Sequence, residues 1–221
     1  MATHDLDLSV AVESYDFEPS SGIPNSKLPT LIYRGGLDEP VRMAGAADTI
    51  LTRNMWQGVW VWSIYPFWHF HTKGHEVLAC VCGSARVGLG GDDGIETDLN
   101  AGDVVVIPAG VGHRRLSATE DFSVVGAYPK GQEGDITKPE EIDFEEARKK
   151  AASVPLPDTD PIYGREGPLF EYWKGSSSAH TDDDASSDVQ QEDAVEGEDE
   201  NASSDVHEAS DAEKTGATNE K

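Results

Sequence analysis

The chain has 221 residues, of which 42 are acidic and 17 basic, giving a formal net charge of −25, and it has 2 cysteines. This length predicts one domain with appendages, and two cysteines exclude both a disulfide framework and a four-cysteine zinc site. The acidic balance argues against nucleic-acid binding, which needs a basic patch. The sequence has neither a signal-like start nor an apolar run of about 18 residues. We therefore expect a cytoplasmic protein without a membrane partner.

The acidic charge is densest at the C-terminal end. Residues 176–221 contain 15 Asp and Glu against two Lys, and they include no aromatic residue, Leu or Ile. Such a segment cannot bury enough apolar surface to offset its chain entropy, so we predict a disordered acidic tail that keeps the protein soluble. A docking segment for a basic partner is the alternative. The acidic body is also typical of proteins from a halophilic, high-salt cytoplasm.

The body of the chain is divided by turns into short β-rich runs. Residues 1–25 are polar and rich in turn formers, which predicts an N-terminal arm with at most one short strand. The domain itself is predicted over 26–175, with a short helix at 40–53 whose weak point is Gly45. The predicted strands are residues 28–33, 59–65, 76–82, 85–89, 95–99, 104–107, 113–116 and 122–128. Because Gly-rich turns separate these strands, we predict an all-β fold, an antiparallel sandwich or barrel.

A helix and an apolar segment follow the predicted strands. Asp143 and Glu146 have the spacing of a capping box, and Pro155 stops the helix that they begin. Residues 154–173 are rich in Pro but also carry several large apolar side chains. We predict that this segment is an extended strap, packed on the barrel or on a neighbouring subunit.

The most informative stretch for function runs from His69 to Glu76. Residues two apart on a strand share a face, so His69 and His71 project together, and Glu76 can return to the same centre after a short turn. His113 follows a Gly-rich loop that would aim it inward on a later strand. Imidazoles with a carboxylate form a donor set suited to a divalent metal ion, whether Fe, Mn, Ni, Co or Zn.

These residues match a known pattern, and the chain resembles the cupin superfamily. The first cupin motif, His-x-His followed by Glu and Gly, is matched by His69, His71, Glu76 and Gly83. The second motif is matched by Gly102, Pro108, Gly110 and His113. Two positions depart from the superfamily pattern: Ser63 replaces a Gly, and Ser117 replaces an Asn. Both are framework positions, whereas the four ligand positions are intact.

The likeness is more detailed in four segments. Residues 64–67, 109–117, 125–129 and 154–164 look like those of the YjlB-like cupins, which are small single-domain bacterial and archaeal proteins. The resemblance covers roughly residues 28–173. It implies a double-stranded β-helix, or small jelly roll, with a metal held by the four motif residues. It also implies a homodimer, since cupins usually pair through sheet edges or a swapped arm. It implies no particular substrate.

Several residues near the motif are further candidates. By alternation Arg115 shares a face with His113, and it could clamp a substrate carboxylate, although a surface ion pair is the alternative. Tyr128 could donate a hydrogen bond to a bound ligand. We interpret His75 as a surface or ligand-supporting residue. Cys80 and Cys82 are interpreted as small buried hydrophobic residues and not as a redox or soft-metal pair.

The sequence supports several hypotheses of function. The leading one is a metal-dependent enzyme that acts on a small oxygenated or carboxylated metabolite, in which Arg115 or Tyr128 orients the substrate. Superfamily analogy favours dioxygenase chemistry over isomerase or decarboxylase chemistry. The alternatives are a non-catalytic sensor or small-molecule-binding module, and a structural cupin whose metal only stabilises the barrel.

Overall fold

The computed structural model describes residues 10–43 and 45–173, so the predicted acidic tail at 176–221 lies outside the described residues. The strands are β1 (Ala11–Tyr15), β2 (Thr30–Arg34), β3 (Trp56–Trp62), β4 (Glu76–Cys82), β5 (Ser84–Leu89), β6 (Ile95–Asn100), β7 (Val104–Ile107), β8 (His113–Ala118) and β9 (Ser123–Pro129). The α-helices are α1 (Glu39–Met43), α2 (Ala47–Arg53), α3 (Phe144–Ala152) and α4 (Leu169–Trp173). No helix in these ranges is long and apolar enough to cross a bilayer.

The strands form two antiparallel sheets, which confirms the predicted all-β fold. One sheet has six strands in the order β1-β2-β7-β4-β9-β3, and the other has three in the order β6-β5-β8. All eight predicted strands are present, and β4 and β7 have the predicted bounds. The ninth strand, β1, comes from the N-terminal arm and pairs with β2 at the edge of the larger sheet.

Side-chain alternation gives the six-stranded sheet two different faces. On β4, Leu78 and Cys80 face the space between the two sheets, where they pack with Val87 and Leu89 of β5. Val77 of the same strand lies in a separate core cluster on the opposite face. The larger sheet is therefore buried on both sides, and the space between the sheets is the interior of the barrel.

The C-terminal strap covers the outer face of the larger sheet. Leu169 and Trp173 are fully buried there, and the Trp173 indole N–H donates to the Pro29 carbonyl at 2.9 Å. Asp160, itself buried, accepts a 2.8 Å hydrogen bond from the Tyr33 hydroxyl. The strap thus packs on its own barrel. This is one of the two predicted arrangements; the other was packing on a neighbouring subunit. It ends in the short helix α4, which the sequence analysis did not predict.

The two predicted helices are present, one of them in two pieces. The segment 40–53 forms α1 and α2, with Gly45 between them at a φ of +63°, a value that Gly adopts at little cost. At the start of α3, the Asp143 carboxylate accepts hydrogen bonds from the backbone N–H groups of Glu145 and Glu146, at 3.0 and 3.1 Å. The predicted cap position is therefore confirmed.

Candidate metal centre

Three histidines converge at one end of the barrel interior. His69 lies in the segment between β3 and β4, whereas His113 opens β8. Their backbones pair as an antiparallel bridge, in which the His113 N–H donates to the His69 carbonyl at 2.9 Å. The bridge places both imidazoles between the sheets, and His71 follows two residues after His69 on the same side. Glu76 opens β4 and completes the group.

The donor atoms of this group lie close together and away from solvent. The ligand atoms of His69, His71 and His113 all lie within 4.8 Å of one another. Glu76 Oε2 lies 3.1 Å from His71 Nε2 and 3.2 Å from His113 Nε2. None of the four residues is more than 4% exposed. The structure thus brings together all four ligand positions of the two sequence motifs.

Two of the imidazoles are oriented by their own local backbone. His69 Nδ1 lies 3.1 Å from the carbonyl oxygen of Phe67, and His113 Nδ1 lies 3.2 Å from that of Val111. A carbonyl oxygen only accepts, so each Nδ1 carries the proton and leaves the Nε2 lone pair free to bind a metal. In both cases the carbonyl belongs to the residue two positions earlier.

His71 is oriented by a distant segment, through Asp135. The Asp135 carbonyl accepts a short hydrogen bond from His71 Nδ1. The Asp135 carboxylate accepts from the Thr72 N–H and hydroxyl, both at 2.8 Å, and from the Lys73 N–H at 2.9 Å. It also accepts from the Thr137 hydroxyl at 2.9 Å. One residue therefore fixes both the His71 ring and the turn that follows it.

That turn is also packed tightly against the segment that contains Asp135. A Cβ atom added at Gly74 would lie 2.7 Å from the Glu133 carbonyl oxygen, closer than real Cβ contacts come. The next residue, His75, donates its backbone N–H to the Gln132 side chain at 2.9 Å. The spacing between His71 and Glu76 is therefore fixed by a turn that has no room for a side chain at Gly74.

The chemistry of the donor set fits a divalent metal ion. Within the described residues, the buried Nε2 of His71 has no hydrogen-bond partner. Glu76 Oε2 lies 3.1 Å from it, at the distance of an ion pair. Burying an imidazole nitrogen without a partner, next to a buried carboxylate, costs free energy. A cation bound between the two groups would remove that cost. Imidazole nitrogen and carboxylate oxygen are donors that first-row divalent metals accept.

The protonation equilibria of the cluster are coupled. Burial, with the neighbouring His113 and His71 rings, lowers the pKa of His69 to about 3. Burial alone would raise the pKa of Glu76, but His71 and His113 outweigh it and hold that pKa well below its usual range. Burial would likewise lower the pKa of His71, yet the Glu76 carboxylate outweighs it and raises that pKa. The Glu76 carboxylate thus favours a proton on His71, and a bound metal ion would take the place of that proton.

A cavity of about 270 Å³ opens onto these donors. Tyr128 lines it, and the Tyr128 hydroxyl donates to Glu76 Oε1 at 3.1 Å while accepting from the Trp60 indole N–H at 3.0 Å. Burial, together with the charge of Glu76, raises the pKa of Tyr128, so its hydroxyl stays protonated. The structure thus places the predicted Tyr128 at the site.

Arg115, the other residue predicted to orient a substrate, is not among the residues that line the cavity. Its Nε–H donates instead to the Ile64 carbonyl at 3.2 Å, and its backbone N–H donates to the Tyr65 carbonyl at 2.8 Å. The Arg115 guanidinium therefore contacts the backbone of a residue that lines the cavity. A direct contact with substrate stays a prediction.

The remaining candidates lie away from the donors. His75 is buried and not at the surface: its ring packs on Trp173, with centroids 4.8 Å apart, and its Nδ1 accepts from the Ala109 N–H at 3.0 Å. Cys80 is buried in the barrel interior, as predicted. Cys82 is exposed, so the prediction is wrong for this residue, because the register of β4 against β9 shifts between the two cysteines.

Sequence reasoning missed Asp135 as a part of the site. Its role depends on a backbone carbonyl, which every residue has, and on hydrogen bonds to a turn 62 or 63 residues away. Neither feature leaves a pattern in a single sequence. The contact of Trp60 with the Tyr128 hydroxyl likewise has no local signal in the sequence.

Two antiparallel sheets that enclose three buried histidines, able to bind a metal ion, define a small β-barrel of the jelly-roll class. Comparison with known proteins makes this more specific. The cupin family model matches residues 65–139. The uncharacterized protein YjlB of Bacillus subtilis (strain 168) is 39% identical over 162 residues, which are 73% of this chain and 96% of the relative. The chain therefore belongs to the cupins, and to the same group as YjlB.

Two solved structures are also similar to this chain, at a much lower level. Acireductone dioxygenase from Bacillus anthracis, solved with a cadmium ion in its active centre, is 20% identical with a TM-score of 0.33, over 58% of this chain and 83% of that one. RmlC from Streptococcus suis is 12% identical with a TM-score of 0.30, over 73% and 93% of the two chains.

Proposed function

We propose that this cupin is a metal-dependent enzyme that acts on a small oxygenated or carboxylated metabolite, with dioxygenase-type chemistry. The observation that carries the proposal is the convergence of buried imidazole nitrogens and one carboxylate at the inner end of a cavity large enough for a small molecule. The four proposed ligands are His69, His71, Glu76 and His113.

The donor set leaves room for a substrate on the metal. Four protein donors are fewer than the six that such ions commonly accept, so an ion held by these residues would keep capacity for substrate or water. Fe, Mn, Ni, Co and Zn all accept such nitrogen and oxygen donors, and the residues do not select one of them. When bound, the ion supplies Lewis-acid polarisation and, if it is redox-active, electron transfer.

In the proposed mechanism, the protein orients Glu76 and the substrate and keeps bulk water out of the site. The Tyr128 hydroxyl holds Glu76 Oε1, which leaves Oε2 directed at the histidines. Tyr128 also lines the cavity, and its hydroxyl, which has a single proton, would donate to a substrate oxygen beside the metal centre by turning away from Glu76 Oε1. Trp60 fixes the hydroxyl from the other side. The surrounding apolar walls keep bulk water from the reacting atoms.

The test of the proposed function begins with the metal content of protein purified without chelator or affinity tag. We expect near-stoichiometric iron, manganese or nickel in the wild type and trace metal in His71→Ala. Metal-dependent O₂ consumption with small diols or enols would then establish the enzyme. Metal binding without turnover would favour a binding module or a structural cupin, and equal trace metal in both proteins would refute the site.

We also propose that the protein is a homodimer. Within the described strands, β3 lies at one edge of the larger sheet, and its Val61 and Trp62 side chains are 62% and 59% exposed. An apolar strand edge of this kind readily pairs with another chain. Light scattering in high salt should give twice the chain mass, and a clean monomer would refute the proposal.

A further inference from the structure

The cavity above the metal centre has aromatic and aliphatic walls. Apart from the proposed ligands and Tyr128, its largest lining side chains are Trp60, Trp62, Ile64, Tyr65, Leu78 and Ile136. Among the residues that the structure describes, no Lys or Arg lines it. The two arginines that follow His113 are not among the lining residues: the Arg115 Nε–H donates to the Ile64 carbonyl, and the Arg114 guanidinium lies 4.4 Å from the ring centroid of Trp68.

The charges of the proposed site set a limit on the charge of its ligand. Three neutral imidazoles and the Glu76 carboxylate would offset one of the two positive charges of a divalent ion. One negative charge on the chelating atoms of a substrate would offset the other. A second negative charge, farther along the substrate, would lie beside apolar side chains with no Lys or Arg among the lining residues, so the part of its hydration that it lost would not be compensated.

The size and shape of the cavity also restrict which ligands fit. Its volume of about 270 Å³ lies just below the roughly 300–1,000 Å³ typical of pockets for drug-sized ligands. The Tyr65 ring packs edge-on against Trp62 and against His69, with centroids 5.2 and 5.4 Å apart. These rings form an aromatic wall that runs from the mouth to the donors, and flat unsaturated molecules pack well against such a wall.

We infer that the substrate is a small, flat molecule that chelates the metal through two adjacent oxygen atoms, carries at most one negative charge there, and is uncharged elsewhere. This inference rests on the proposed function and narrows it. We expect phosphorylated metabolites, dicarboxylates and nucleotide sugars to bind more weakly, because each brings negative charge to walls that have no Lys or Arg among their lining residues. A carboxylate is accepted only where it binds the metal itself.

A matched pair of probes tests the charge limit. 4-Methylcatechol and 3,4-dihydroxybenzoate share the ring and the two adjacent hydroxyls, and they differ by a methyl or a carboxylate at the same ring position. Binding to the full-length, Zn²⁺-loaded protein is followed by tryptophan fluorescence, since Trp60 and Trp62 line the cavity. Zinc has no redox chemistry, so no turnover interferes. We expect 4-methylcatechol to bind more tightly by about tenfold or more.

A substitution in the cavity wall tests whether the preference between the two probes depends on charge. Ile136 lines the cavity and is 47% exposed, so Ile136→Lys can place a cation at the wall without burying it fully. We expect Ile136→Lys to shift the preference toward 3,4-dihydroxybenzoate by about tenfold, because the new charge is only partly screened. The uncharged Ile136→Met variant should keep the wild-type preference.

The outcomes separate this inference from the proposed function. If the purified protein does not retain zinc, the proposed metal site is wrong. If it retains zinc but binds 3,4-dihydroxybenzoate as tightly as 4-methylcatechol, or binds neither probe, the inferred substrate class is wrong and the metal site stands. An unchanged preference in Ile136→Lys would also contradict the charge argument.

Discussion

The two faces of the six-stranded sheet differ in what their buried side chains do. On the outer face, apolar residues pack under the strap, and the indole N–H groups of Trp56 and Trp173 each donate to a backbone carbonyl. On the inner face, at one end, imidazoles and a carboxylate crowd together, and His71 Nε2 has no hydrogen-bond partner among the described residues. The same strands thus provide stability on one side and a reactive site on the other.

The largest effect on the inner face is expected when one proposed ligand is removed. His113→Ala should abolish stoichiometric metal binding, because three donors and an uncompensated Glu76 carboxylate hold a divalent ion far more weakly. Elemental analysis after dialysis against trace zinc measures the effect. The matched control is His75→Gln, which alters a buried histidine that points to Ala109 instead of the centre and should keep its metal. Equal metal in both variants would contradict the assignment.

The complementary change removes a large side chain from the outer face. Trp173→Ala should lower the free energy of unfolding by about 3–5 kcal/mol, since it leaves a cavity under the strap. Urea denaturation measures this loss. Metal per folded chain should stay at the wild-type level, as the substitution lies across the sheet from the donors. A folded Trp173→Ala protein without metal would show that the two faces are coupled.

The buried His75 gives the metal-free protein a pH dependence. Burial lowers the pKa of His75 to about 4. As pH falls below the unfolded-state value of about 6.5, the unfolded chain binds a proton that the folded chain does not. His75 therefore lowers the free energy of unfolding by about 1.4 kcal/mol per pH unit between roughly pH 6.5 and 4.

The variant His75→Gln isolates this contribution. Gln can still accept the Ala109 N–H but does not titrate, so its free energy of unfolding should fall less steeply over the same pH range. Denaturation at several pH values in the presence of a chelator compares the two proteins. Parallel curves would refute the prediction.

The smallest effect is expected at the residue that orients His71. Asp135→Asn weakens the hydrogen bonds to the backbone N–H groups of Thr72 and Lys73 while it keeps the size of the side chain. Metal affinity should fall by about 10–100-fold, as for other residues that orient ligands. Competition with a zinc-binding dye measures it. The exposed neighbour variant Glu133→Gln should bind metal as the wild type does, and equal loss in both variants would refute the role of Asp135.

The sequence predicted the features that depend on local pattern. The bounds of β4 and β7 follow from apolar runs between turns, and strand alternation and turn spacing explain why His69, His71 and Glu76 converge. His113 reaches them through its backbone bridge to His69. The sequence did not predict α4, whose five residues are too few for a helical period. The register of β8 pairs Arg115 with the interior residue Val87, as alternation predicts, but the bond from its Nε–H to a carbonyl 51 positions away has no local signal.

The orienting carbonyls have a consequence for protein engineering. For His69 and His113, the carbonyl that orients the ring belongs to the residue two positions earlier. Each of these ligands could therefore be grafted onto another barrel together with its orienting group, as the three-residue segments 67–69 and 111–113. His71 could not, because the group that sets its tautomer belongs to Asp135 on a separate segment. A transplanted centre would therefore have to include residue 135 and the turn that it holds, or accept a third imidazole that is free to rotate.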